Sequence, residues 1–358
     1  MKKIISLIIL CFVFSIAAIM LLFVLADKMR DQPNSFLRLF PPHPVIERDT
    51  FNINSHSYYI AGGTKHTVYL GNYKAPLRLI ILKTATLDTQ QVRLKVEDIR
   101  NQRFWSARVQ IDSPHYYLTD GAIPILFKGN VLNWKARKYL FDSIFFQTIV
   151  PMQKGSFAVK SLSGRTGENI LGMIKEWYPY RYFTDHLLQK QIDGVFCTNG
   201  MMHFNKALNR FIYIYYYRNQ FMVADTCMNL LYRTTTIDTI SRVKIKVATI
   251  ESGHSKTLSS PPYFVNRLSA TSGEWIFVNS NLLAKNEYIN AFDTSDVIDM
   301  YNLRTGKYAF SFYLYHVQGK KKMSEFRVFD NMMIVRWDNV LAIYTLKPEY
   351  FGGLHSID

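Results

Sequence analysis

With 358 residues, 48% hydrophobic and 20% charged, the chain is too apolar to be disordered, and it can form two average domains or one large all-β domain. Its 23 tyrosines and 25 phenylalanines suit pleated, half-buried surfaces. A formal net charge of +16 argues against cationic partners and leaves nucleic acid, acidic lipid headgroups and anionic glycans to be separated.

The leader separates them in part. Residues 1–3 carry Lys2 and Lys3, and the 23 residues from Ile4 to Ala26 contain no charge. At about 1.5 Å per residue they span roughly 34 Å, enough for a hydrocarbon core of about 30 Å. Positive charge ahead of the span keeps the N-terminus cytoplasmic and sends the rest outward. Residues 4–26 therefore read as a retained transmembrane signal-anchor. A signal peptide cleaved near Ala26 is the alternative, with Val24 and Ala26 at the −3 and −1 positions, although its apolar region would be unusually long. Residues 27–49 follow, with Pro33, Pro41, Pro42 and Pro44, and read as an extended Pro-rich stalk.

Residues 50–350 alternate with period two. Val92, Leu94 and Val96 interleave with Arg93 and Lys95, while Val243, Ile245 and Val247 interleave with Lys244 and Lys246. "RFIYIYYYRNQFMVAD" predicts a hairpin turning at Arg218-Asn219. "YAFSFYLY" sets Tyr308, Phe310, Phe312 and Leu314 on one side of a strand, and Lys320–Lys322 read as a solvated hairpin tip behind it. No long capped helical pattern occurs outside the leader. The strands recur in six units of roughly 45–60 residues, which predicts an all-β, six-bladed β-propeller with a central channel. Residues 351–358 form a short tail.

Three of these stretches, "DGVFCTNGMMHFN", "FIYIYYYRNQFMVAD" and "VIDMYNLRTGKYAFSFYLY", resemble bacterial six-bladed propellers of the TolB-like superfamily. The resemblance covers about residues 50–350. It implies an envelope propeller and brings no catalytic residues with it. The expected location is the bacterial cytoplasmic membrane, single-pass, with the propeller on the periplasmic or outer side.

Reactive constellations are missing from the sequence: there is no Cys-x-x-Cys, His-Glu-x-x-His, phosphate loop or Gly-x-Ser-x-Gly. Cys197 and Cys227 read as separate thiols. Asp293, Asp296 and Asp299 are spaced by three, whereas a calcium loop alternates its oxygens. Asp120, Asp193 and Asp225 are turn formers by type, and also the acids a glycosidase channel would need. Tyr116, Tyr117, Arg181, Tyr182, Asn266 and Arg267 are the candidate ligand-binding residues, placed at the channel mouth because Tyr stacks and Arg offers forked donors. The expected function is a binding or scaffold module for an anionic ligand, glycan or envelope protein partner, without cofactor or metal. Nucleic acid is disfavoured because the chain is exported. The alternative is an enzyme acting on an envelope carbohydrate through the channel.

Overall fold

Antiparallel hairpins convert the period-two pattern into six blades around a common axis in a computed structural model. It describes residues 2–30, 34–97, 103–141, 144–153, 155–249, 256–317 and 322–352. The inner strands are Tyr58–Thr64, Arg108–Asp112, Thr148–Pro151, Gly200–Asn205, Asn266–Ser272 and Glu325–Phe329, for blades 1 to 6 in turn. From each of the first five the chain steps outward through three further strands, and from the sixth through two. Lys95–Val96 adds a short parallel strand to the outer edge of blade 2. The expected all-β, six-bladed propeller is the fold observed.

Neighbouring blades cover one another, so both faces of a blade are buried. Val68 and Leu70 of blade 1 pack against Leu341 and Ile343 of blade 6. Phe157 and Val159 of blade 3 meet Tyr117 and Leu126 of blade 2, and Ile212 and Phe221 of blade 4 meet Ile276 and Tyr301 of blade 5. Each such side chain contributes about 1.5–3 kcal/mol of apolar burial.

The ring is closed by the N-terminal end of the body. Strand Val45–Asn52 pairs antiparallel with Val340–Leu346, from Val45 opposite Leu346 to Asn52 opposite Val340, and so supplies the fourth strand of blade 6. The stalk boundary expected at Asp49 falls inside this strand. Its Glu47 and Arg48 are exposed and Asp49 is half-buried on this edge strand, and that charge hides it in the sequence.

Strand Lys307–Tyr315 is the outer strand of blade 5, with Phe312 and Leu314 buried. The chain next enters blade 6 at Glu325, so Lys322, the described member of the expected hairpin tip, lies in a blade-to-blade connection. Lys322 Nζ lies 4.7 Å from the Phe292 ring centroid and 3.1 Å from Asn281 Oδ1. Met1, Pro33, Lys320, Lys321 and the tail beyond Gly352 lie outside the described residues.

Alternation of strand direction gives the ring two unlike ends. Blade-to-blade connections and the turns between second and third strands lie at one, here the upper end. The remaining turns lie at the lower end. Helix Lys2–Arg30 precedes the body, and its stretch Lys3–Leu22 is long and apolar enough to cross a membrane. Asn34 then joins the upper end of blade 5, where its backbone N–H donates to Leu283 O at 2.9 Å.

Arg38 pins the same segment. Its guanidinium is fully enclosed, donating to Asp299 Oδ1 at 2.7 Å, Asp299 Oδ2 at 3.0 Å and Leu282 O at 2.8 Å, and it pairs with Glu287. Burial alone would lower its pKa, but Asp299 and then Glu287 reverse this and hold it above the ordinary arginine value.

Candidate functional site

The central channel is the one place where all six blades meet. A cavity of about 280 Å³ touches residues of every inner strand, and a wider space of about 470 Å³ opens at the lower end beside Asp112, Lys206 and Asp330. Strand alternation aims every second inner-strand side chain at the axis. In this way Arg108, Gln110 and Asp112 come from blade 2, His203 from blade 4, and Glu325 and Arg327 from blade 6.

The charges are unevenly partnered. Asp112 pairs with Lys206. Glu325 lies 3.4 Å from Arg327 and 3.7 Å from Arg336, and its Oε2 accepts the Ile60 backbone N–H at 3.0 Å. Arg108 is exposed and meets no carboxylate among the described residues. It stacks over Tyr73 at 4.9 Å and Tyr59 at 6.0 Å, while Tyr59 Oη accepts the Val109 N–H at 2.7 Å. Three cations thus face two carboxylates that are already engaged. His203 shares a 2.7 Å hydrogen bond between Nε2 and Ser269 Oγ. Burial, and secondarily Arg327, push its pKa down to about 3, so it is neutral throughout the physiological range.

The six candidates from sequence do not converge on this channel. Tyr116 and Tyr117 lie on the second strand of blade 2 and are buried, one beside Trp134 and the other edge-on to Phe157. Arg181 and Tyr182 are exposed on the outermost strand of blade 3. Only Asn266 and Arg267 lie on an inner strand. Asn266 is buried and donates to Tyr215 O at 2.9 Å and Arg218 O at 3.1 Å, which ties blade 5 to blade 4. Arg267 donates to Asp296 Oδ1 at 3.2 Å and Met323 O at 3.1 Å, joining blade 5 to the start of blade 6. Sequence reasoning missed Arg108, Lys206, His203 and Arg327. Their alternation with apolar neighbours was visible, but which strand faces the axis is set by ring closure.

The acids have structural roles. Asp120 accepts the backbone N–H groups of Trp105, Ser106 and Ala122 at 2.7, 2.9 and 3.0 Å. Asp193 accepts those of Val195 and Cys197 at 2.7 and 3.2 Å, and Asp225 those of Cys227 and Asn229 at 2.8 Å each. Asp299 holds Arg38. Asp296 accepts the Met323 N–H at 2.7 Å and faces Arg267 and His316. Cys197 is a buried free thiol and Cys227 an exposed one.

Lys160 is a buried cation in the blade 3 wall. Its Nζ donates to Asn199 Oδ1 at 2.9 Å, and burial lowers its pKa to about 8. The unfolded chain, near 10.5, binds the extra proton between those values, so folding stability rises with pH from about 8 to 10.5 and carries a constant penalty below 8. We expect Lys160→Met to stabilise the fold at pH 7 by about 1–2 kcal/mol, below the roughly 3 kcal/mol that the displacement represents because the Asn199 bond is lost. Urea titrations at pH 7 and pH 10 check this. A destabilised variant, or an unchanged pH dependence, contradicts it.

The fold and its channel define a six-bladed β-propeller protein with one N-terminal apolar helix that could span a membrane. No protein-family model matches the chain, and no curated protein matches it either. Solved structures do. The chain is similar to a member of the DUF4221 family from Bacteroides vulgatus, at 12% identity and a TM-score of 0.51, over 88% of this chain and 99% of that one. It is also similar to BamB from Moraxella catarrhalis, at 10% identity and a TM-score of 0.43, over 84% and 99% of the two chains. A third is virginiamycin B lyase from Staphylococcus aureus, in an inactive form with quinupristin, at 10% identity and a TM-score of 0.47, over 85% and 100%.

Proposed function

We propose that this chain is a membrane-anchored, extracytoplasmic binding module of TolB-like type. In this reading it takes an anionic group, carried by a free ligand, a glycan or a protein partner, at its central channel and catalyses no reaction. One observation carries the reading. Arg108 and Arg327 from the inner strands of blades 2 and 6, and Lys206 from the turn after that of blade 4, reach the channel, while Asp112 and Glu325 are each held by a cation. Acid–base catalysis on a glycosidic bond needs one carboxyl kept as an acid and a second free to act as base or nucleophile. Arginine offers planar, forked donors suited to carboxylate, sulfate or phosphate, and rigid strands hold them in place.

Calorimetry of the full chain in detergent micelles with a sulfated tetrasaccharide tests the reading. Affinity is expected to fall steeply as salt rises from about 0.05 to about 0.5 M, and Arg327→Gln to weaken it about tenfold. Neutral His203 leaves no step in binding between pH 5 and 7 on its account. A flat salt response together with unchanged affinity in an Arg108→Gln/Arg327→Gln variant overturns it. Release of shorter sugars moves the protein to the enzyme reading.

A further inference from the structure

The upper end of blades 4 and 5 combines two features that the channel does not use. The first is where the anchor arrives. Asn34 is fixed to Leu283, Phe36 packs against Ile240, Leu282 and Ala284, and the Lys285 N–H donates to Phe36 O at 2.9 Å. Four steps of extended chain separate Arg30, the last helical residue, from Asn34, so the two lie within about 14 Å.

The second is a basic arm rooted at the same spot. The connection between blades 4 and 5 rises from the upper end, bonded there through Asn219 N–H to Ile240 O at 2.9 Å and Val265 N–H to Tyr216 O at 2.8 Å. Strands Val247–Thr249 and Lys256–Leu258 pair within it. Val243 and Ile245 are buried against Cys197 and Tyr217, which turns Arg242, Lys244 and Lys246 outward, and Lys256 is exposed on the returning strand. Among the described residues none of these four bases meets a carboxylate. At the same end, in the connection between the second and third strands of blade 5, Tyr288 is 84% exposed, an amphipathic ring suited to headgroup depth. At the lower end, by contrast, Lys206, Arg304 and Lys347 each stand next to an acid.

We propose that the upper end of blades 4 and 5 docks on the membrane that holds the anchor, with Arg242, Lys244, Lys246 and Lys256 against anionic lipid headgroups. The inference rests on the anchor reading and adds an orientation to it: the channel's lower mouth faces away from the bilayer. Charge complementarity selects the occupant, because a leaflet of acidic lipids attracts each nearby Lys or Arg about fivefold over bulk, and that attraction dies within a Debye length of roughly 8 Å. The arm can exploit it only because the anchor already holds it close.

Headgroup quenching tests the orientation. The full chain, with Cys11→Ser, is reconstituted into vesicles of phosphatidylcholine with about 30% phosphatidylglycerol and a nitroxide-headgroup lipid. One fluorophore is placed on Cys227, in a lower-end turn, and in a second protein on Ser260→Cys, at the base of the arm, with Cys227→Ser. Quenching is expected to be at least fivefold stronger at position 260. Combined Arg242→Glu, Lys244→Glu, Lys246→Glu and Lys256→Glu substitution is expected to bring it down to the Cys227 level. So is raising salt to about 0.5 M with the bases intact, a readout that needs no refolding variant. Equal quenching at the two positions, or strong quenching at 260 that neither charge reversal nor salt reduces, overturns the proposal. Failure of the full chain to float with pure phosphatidylcholine vesicles sinks the anchor reading instead, and that result is separate because it is scored before any label is read.

Discussion

Arg38→Met is expected to lower the stability of the folded body by about 3–5 kcal/mol, the size of effect seen when one partner of a buried ion pair is removed. The reason is what stays behind. Asp299 and Glu287 are both buried. Without the guanidinium Asp299 retains the Ser311 hydroxyl donor, and Glu287 retains the Tyr313 hydroxyl at 2.8 Å and the Ala284 N–H at 2.7 Å. Those donors do not neutralise two carboxylates in a low-dielectric setting. A second variant isolates the cause: adding Asp299→Asn and Glu287→Gln to Arg38→Met is expected to recover more than half of the loss, since the stranded charges are then gone. Urea unfolding of the full chain in micelles reads both. A loss below about 1 kcal/mol for Arg38→Met, within the range of exposed pairs, removes the argument.

A larger effect is expected from shortening the body. A chain beginning at Ile53 lacks the strand Val45–Asn52, so Val340–Leu346 becomes an open edge and the Tyr344–Glu47 hydrogen bond of 2.9 Å is lost. Phe51 also leaves the cluster formed by Ile53, Leu341 and Ile343. At about 0.5–1.5 kcal/mol for each ladder hydrogen bond, the missing strand approaches the whole 5–15 kcal/mol of a typical domain. Chains beginning at Asn34 are expected to unfold cooperatively. Those beginning at Ile53 are expected to aggregate, with no sharp thermal transition. Equal midpoints for the two would show that ring closure matters little here.

Both effects involve segments that the sequence disguises. "SFLRLF" sets one arginine among apolar residues next to a proline run, and nothing local reveals that its partners are about 250 positions away. "VIERDTFN" alternates as a strand should, but as an outer edge it carries acids and an arginine that read as solvated linker. The blades themselves were legible, because hairpin turns and period two are local properties: "RFIYIYYYRNQFMVAD" is the central hairpin of blade 4, with strands Arg210–Tyr215 and Gln220–Ala224. The channel residues were not. Tyr116 and Tyr117, adjacent in sequence, are both buried because a blade between two neighbours has no solvent face, so alternation there carries no information about the axis. Arg327 and Arg108 resemble any strand arginine until the ring closes around them.

The order of attachment along the N-terminal segment has a mechanical consequence. Traction on the helix reaches Asn34 first, then the enclosed guanidinium of Arg38, and only afterwards the strand that completes blade 6. Arg38 therefore works as a strain relief, so that a pull on the N-terminal helix is absorbed at the flank of blade 5 before it can peel the seam of the ring.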